Sequence, residues 1–499
     1  MTTPPPSPET IPARWSAQAA RGVTQRIVAT STLRFREAVR LASGDPATLV
    51  DEKLLRDAAS GRPLLTGTTL AGALRALLAQ FTDDPALVDA LFGTAHEDAL
   101  APSLVIVDDS VAAEGTVEVR EGVKLDGATR TAHDGALYDA EAWAADVQFP
   151  LRLELVLTEH HADTTVQLTR AFATLLDLVQ SEGLTLGARK RRGFGLAHAA
   201  PWRVRRFDLT TADGLLDWVE APAPRDSDTA VSVATALQVD PLVDQRHVAT
   251  LEASFIVPGS LLIRAGTGDD DRSSDMVHLH ALRTGSEART PIVSGTSWAG
   301  ALRTQATRIL RLLGSDAAAK HAVDDLFGPD LHAERDVAPG KRVAPRGSRL
   351  HVRTSEVTGG TSDLVQHRVS IDRFTGGAYP GALFNQQPLF GNGQATLTLR
   401  IRVEHPTDAD LGLLCLLLKD LWTGLLPIGG ERSVGRGRLR GRAATLTLRG
   451  RDEPQVFDLN AGEDGAVQTT DAERTALEGF VAALHKSLAS TSSISAAHA

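Results

Sequence analysis

The sequence states one pattern twice. Residues 63–75 read PLLTGTTLAGALR and residues 291–303 read PIVSGTSWAGALR, with eight of 13 positions identical at an offset of 228. Other pairs follow in the same order. Val28-Ala29-Thr30 answers Val248-Ala249-Thr250, Leu91-Phe92-Gly93 answers Leu326-Phe327-Gly328, and Phe207-Asp208-Leu209 answers Phe457-Asp458-Leu459. Gly187, Gly193 and Gly195 answer Gly429, Gly435 and Gly437. The offset drifts slowly, as small loop insertions make it drift, and chance similarity would not keep the order. Whatever one copy folds into, the other must fold into as well.

Each copy opens with a strand-like segment, IVATSTLRF or HVATLEASF. A glycine turn and a helical segment follow, LAGALRALLAQF or WAGALRTQATRILRLL. After a long loop comes a strand of clear period-two alternation, FPLRLELVL or ATLTLRIRV, then a second helix, a Gly-rich segment and a last strand. Two strand–helix–strand halves per copy predict an α+β chain of two tandem ferredoxin-like (RRM-like, split βαβ) modules with inserted loops. At 499 residues the chain is too long for one ordinary core and comfortable for two. The expected division is a disordered segment 1–23, a first module 24–220, a linker 221–246 around APAPRDSD, a second module 247–465, and a C-terminal helix with a disordered tail, 466–499.

Composition narrows the chemistry. The longest apolar run near Cys415, residues 413–418, is far too short to span a bilayer, and MTTPPPSPET has no apolar signal core, so a cytoplasmic protein is expected. One cysteine excludes an internal disulfide and a cysteine-based zinc cluster. A net charge of −10 argues against a generally basic surface but leaves room for local basic patches. Of 52 basic residues only seven are Lys, which favours bidentate phosphate contacts and equally fits a GC-rich genome.

Four features could carry chemistry. The glycine turns, Gly67-Thr68-Thr69 and Gly295-Thr296-Ser297, open helices whose N–H groups suit phosphate, with Arg75 and Arg303 two turns on; helix capping and a solvated Arg is the plainer alternative. The Gly-rich segments LGARKRRGFGLAHA and IGGERSVGRGRLRG bring Gly187, Arg189, Lys190, Arg191 and Arg192 in one copy, and Gly429, Gly430, Arg432 and Arg436 in the other. They read as phosphate-backbone clamps or as basic surface hairpins. Neither is a Walker loop or a dinucleotide fingerprint. The long loops GVKLDGATRTAHDGALYDAE and VSIDRFTGGAYPGALFNQQ align Asp126 with Asp372 and set Arg373 opposite Gly127. Carboxylates complete the set: Asp51 and Asp57 before the first turn, Asp275 before the second, where a lone acid beside RNA could hold a divalent ion or orient a 2′-hydroxyl. His278, His280, His160 and His161 have no zinc spacing, and no GxSxG elbow occurs.

With these residues assembled, the chain resembles the RAMP superfamily of CRISPR-associated proteins, and within it the backbone subunits of type III effector complexes, fused in tandem. The likeness rests on P-x-x-x-G-[ST]-[ST]-x-x-G-x-[LI]-R at residues 63–75 and 291–303, on a V-x-I-D-R-x-T-G segment matched by VSIDRFTGGA and loosely by VKLDGATRTA, and on the Gly-rich loop near each module's end. The resemblance implies a guide-RNA-binding backbone subunit whose hairpin thumbs interrupt the guide–target duplex. Its implied partners are guide RNA, single-stranded target RNA and other effector subunits, with no membrane. In cutting members an acidic loop before the glycine turn, similar to D-N-P-x-[IL]-x-D, supports metal-dependent cleavage of target RNA. DEKLLRD fits it at the outer Asp residues, so the catalytic and metal-binding role, with Mg2+ or a similar cation needed for cleavage only, is carried to Asp51 and to Asp275, where the second Asp is missing. A purely structural RNA-binding subunit and a guide-processing ribonuclease are the alternatives; the last needs a well-placed His, and no His is shared between the copies.

Overall fold

A computed structural model describes residues 22–42, 53–96, 99–125, 132–265, 274–330, 343–450 and 453–497. In the first copy the opening strand, Val23–Phe35, lies at the middle of an antiparallel sheet between Gln148–Thr158 and the pair Leu196–Ala199 and Arg203–Asp208. Val105–Val107 adds the outer edge beyond Gln148–Thr158. In the second copy Val248–Val257 is the middle strand between Ala395–Glu404 and Arg440–Arg449, with Leu350–Val352 and Ser355–Thr358 outside. Reading only core strands, both sheets run fourth, first, third, second, which is the ferredoxin-like order, with a helix after the first strand and after the third.

The repeat fixes equivalent registers. Ala29 pairs with Leu153 and Val204, and Ala249 with Val403 and Leu448. One face of each sheet is apolar and buries helices Gly67–Phe81 and Thr165–Ser181, or Gly295–Leu313 and Asp408–Trp422. Two separate hydrophobic clusters result, one per copy. Trp298 replaces Leu70 at the same helix position, and its indole N–H donates to Ser355 Oγ at 3.0 Å, satisfying the polar atom that the larger side chain brings inside.

Two expected boundaries look different in three dimensions. The segment read as a linker is folded onto the first copy: Val233, Ala234 and Leu237 belong to its core, and Asp177 accepts the Val233 and Ala234 N–H groups at 2.7 and 3.1 Å. Its polar opening, APAPRDSD, hid the apolar run VSVATAL that follows. The chain end after Ser487 is helical, within Asp471–Ala497, whose Leu484 and Leu488 cover the second core. No helix among the described residues is long and apolar enough to cross a membrane.

Candidate nucleic-acid interface

The glycine turns begin their helices one residue earlier than the hydroxyl pattern suggests. Thr66 and Ser294 are the N-caps, accepting from Thr69 N at 3.3 Å and Ser297 N at 3.2 Å. The hydroxyls of Thr68 and Thr69 bond to Thr66 Oγ1, and those of Thr296 and Ser297 to Ser294 Oγ. Glycine is required because an edge strand crosses here: a Cβ on Gly67 would collide with the Val107 carbonyl, and one on Gly295 would lie 2.6 Å from the Val352 carbonyl oxygen. Arg75 and Arg303 point away from the turns. Arg75 pairs with Asp89 and donates to Gly93 O at 2.6 Å; Arg303 pairs with Asp324 at 2.8 Å and donates to Gly328 O at 2.6 Å. Each arginine locks its helix to the end of the next one, which accounts for its presence in both copies.

Both Gly-rich loops hang from the extension of the first strand by the same backbone bonds. Ala188 N donates to Arg40 O and Gly195 N to Ala38 O; Gly430 N donates to Leu262 O and Gly437 N to Ser260 O. Arg189 and Glu431 occupy the same left-handed corner, at φ 58° and 56°, and both reach their own thumb with opposite charge. Arg189 stacks over the Tyr138 ring at 4.5 Å and donates to its hydroxyl. Glu431 accepts from Gln386 at 2.6 Å and Arg436 at 2.6 Å. Burial opposes ionisation of Glu431, but the bonds from Gln386 and Arg436, with Arg368 nearby, hold its pKa below the ordinary value.

Arg436 therefore departs from its expected surface role. It is 3% exposed, bonded to Glu431, Ser260 Oγ and Gln366 Oε1, and anchors the thumb base. The alternation past Gly435 turns it inward while Arg438 and Arg440 stay outside. Arg432 lies beside it, half-buried.

The first copy's loop does something its sequence did not announce: it docks on the second copy's glycine turn. A Cβ on Gly295 would lie 2.5 Å from the Arg192 carbonyl, and Thr354 Oγ1 donates to Gly193 O at 3.1 Å. Arg191 reaches over to Gly347 and stands 3.7 Å from Glu404. Lys190 is exposed, and Arg192 keeps an exposed surface although its charge is crowded. Burial, and then the like charges of Arg189 and Arg303, lower its pKa. The Lys190–Arg192 segment thus packs against the second turn helix, with Arg192 at its start, where the helix dipole adds positive potential. The first turn is electrically different, because Asp109 already accepts from Gly67 N at 2.6 Å.

The long loops are β-hairpins. Val117–Leu125 pairs with Ala132–Trp143, and Gln366–Ile371 with Ala378–Gln387. Asp126 lies outside the described residues; Asp372 closes the second tip. Its carboxylate accepts from Phe374 N and Thr375 Oγ1, at 3.1 and 2.8 Å, and its carbonyl accepts from Gly376 N. The turn presents Arg373 and Phe374 outward, Phe374 98% exposed. A lone large aromatic inside a polar turn was the signal for Phe374.

The RAMP superfamily profile matches residues 34–198 and 262–440, one region in each copy. The chain belongs to the RAMP superfamily. RAMP membership marks a CRISPR-associated RNA-binding subunit that works within a complex. No curated protein sequence matches the chain.

Within the first RAMP module the glycine turn and Gly-rich loop line an open pocket of about 220 Å3 with Arg40, Leu55, Thr66, Thr69, Gly187 and Ala188. Asp51, in the acidic loop before that turn, lies outside the described residues. Asp275 stands by the second thumb instead, accepting from Asn385 N at 2.7 Å. Among the described residues no three His, Cys, Asp or Glu side chains come close enough to hold a metal ion.

Proposed function

We propose that this RAMP chain is a backbone subunit of a type III effector complex that grips guide RNA at the joint between its modules and presents its thumbs to the guide–target duplex. The carrying observation is the packing of Arg192 against the Gly295 turn of the other module, where its charge feels those of Arg189 and Arg303. Cations that converge with a helix start suit a phosphodiester. The exposed Phe374 offers a stacking face for a base, which is sequence-tolerant.

Cutting of the target RNA, with Mg2+ or a similar ion, is assigned to Asp51. Asp275 is the weaker second candidate, since its hydrogen bond to Asn385 N gives it a structural task. That same bond favours the second reading, an RNA-binding subunit whose second module does not cut. The test uses the complex expressed with its genomic neighbours. A short RNA with a defined repeat-derived end should copurify, and its absence refutes the reading. Asp51→Ala should abolish Mg2+-dependent cutting of a guide-complementary RNA at one position while the guide stays bound. Unchanged cutting by the Asp51→Ala, Asp275→Ala double variant refutes the site.

A further inference from the structure

The joint between the two modules is built from parts that, among the described residues, the outer face of neither module repeats. A hairpin arm of the second module, strands His280–Arg283 and Ser286–Val293, lies on the first module. Arg283 Nη1 meets Glu37 Oε2 at 2.5 Å, Leu282 N donates to Glu118 Oε1 at 2.8 Å, and Gly285 N to Asp146 Oδ2 at 3.1 Å. Three carboxylates thus receive the arm, one of them, Glu118, only 5% exposed. The loop contact of Arg191 with Gly347 and Glu404 is the joint's other half.

Structural equivalence shows what stands at the free ends. Val39 bridges Trp143 as Leu261 pairs with Leu389, so offsets of 222 and 246 relate the two receptors. Glu37 corresponds to Gly259, Glu118 to Leu364, and Asp146 to Asn392, the last two both at positive φ. Glu37 and Asp146 thus lose their acid, while Asp363, exposed one residue before Leu364, keeps a carboxylate near the third position. The arm is lost too. Arg56 bridges Pro63 as His280 pairs with Pro291, so six residues close the first hairpin where ten close the second. The short tip is tied off by Asp57, which accepts from Ser60 N at 2.8 Å and Ser60 Oγ at 2.6 Å.

The loop contact fails at both halves in the same way. Arg191 is replaced by Ser433 at the offset of 242. Ser103 and Ser348 make the same pair of bonds to their neighbouring carbonyls, which sets Pro102 where Gly347 leaves room for Arg191. At the free loop Val434, 58% exposed, stands in the place of Arg192, and Gly435 meets nothing, whereas Gly193 meets Thr354.

A head-to-tail interface extends without limit only when each end carries the complement of the other. We infer that this chain does not extend by adding a second copy of itself through the joint that unites its modules, and that its free receptor, Gly259, Leu364 and Asn392, takes the hairpin arm of a different polypeptide, one with no cation in the place of Arg283. Leu364 is 53% exposed there between the exposed Asp363 and Val365, and Gly259 offers no acid where Glu37 meets Arg283 in the inner joint. The inference rests on the joint's geometry and stands apart from RNA binding.

Sedimentation velocity of the full chain, alone and with an oligouridylate long enough for several modules, tests it. The expected result is a species that does not grow with protein concentration in the absence of RNA, and no contact between copies on RNA. A photo-crosslinker at Leu364 reads such contact directly. Crosslinks from Leu364 to a second, differently tagged copy overturn the inference, whereas failure to bind the oligonucleotide overturns only the RNA reading. A restoring variant completes the test: segment 281–290 grafted in place of residues 57–62, with Gly259→Glu, Leu364→Glu and Asn392→Asp. It should associate with itself in a concentration-dependent way. If it folds with two intact cores yet stays monomeric, the arm and acids do not govern the joint and the inference fails.

Discussion

Arg283→Met removes one partner of the best-buried ion pair across the joint. The Arg283 side chain is 8% exposed and Glu37 13%, so neither charge is screened by much water. Breaking a buried pair from one side costs about 3–5 kcal/mol, because the remaining charge keeps its desolvation penalty. The low end applies, since Arg353 still acts on the Glu37 carboxylate. About 3 kcal/mol is roughly a hundredfold in the docking equilibrium at about 1.4 kcal/mol per tenfold. Native-state hydrogen exchange reads it at two reporter amides, Leu282 and Gly285, which donate to Glu118 and Asp146. Both should exchange roughly a hundredfold faster while amides of the two central strands keep their protection. Adding Glu37→Gln should recover most of the loss, because the buried carboxylate is then gone and only the half-exposed Glu356 lacks its cation. If the reporter amides stay protected, or the central strands speed up equally, the arm is not held by this pair.

Other outcomes follow from single sites. Arg436→Ala should lower the second module's stability by about 3 kcal/mol, read in urea unfolding, because Glu431 loses its main buried partner. Lys190→Ala and Arg192→Ala should each weaken RNA binding uniformly across sequences and reduce the salt slope by about 1, measured by titration at several salt concentrations. Ser294→Ala should cost about 1 kcal/mol in the same unfolding assay, through loss of the N-cap bond to Ser297. Glu473 is held at about 2 by Thr470, Asp458 N and Thr469, below its ordinary 4.5. Its folded pKa is depressed, so its contribution is present above pH 4.5 and fades as pH falls toward 2. Glu473→Gln should flatten the pH dependence of C-terminal helix docking in that window, followed by NMR.

What the sequence disclosed was whatever depends on local order. The drift-tolerant repeat revealed two modules, and the alternation of FPLRLELVL and ATLTLRIRV revealed their third strands. Properties that depend on which side of a turn a residue faces were hidden. Arg436 looks like a member of a basic cluster until the positive-φ glycines on either side are seen to rotate it into the thumb base. Arg75 and Arg303 sit at matching positions for a packing reason, and a match between copies does not distinguish packing from binding. The joint was invisible because it couples residues more than a hundred positions apart, such as Arg191 with Gly347. The charge reversal between Arg189 and Glu431 was readable as letters, but its meaning needed their shared left-handed corner.

The packing of residues 233–237 on the first core has a bearing on synthesis. A chain made from its N-terminus can complete its first core once that segment has left the ribosome, before the arm that begins at His280 exists. Glu37, Glu118 and Asp146 are then already in place when the arm emerges, so the second half arrives at a finished surface. The order of synthesis thus brings the arm to its receptor within the same molecule, whereas a permuted chain that began with the second module would expose the arm before anything could receive it.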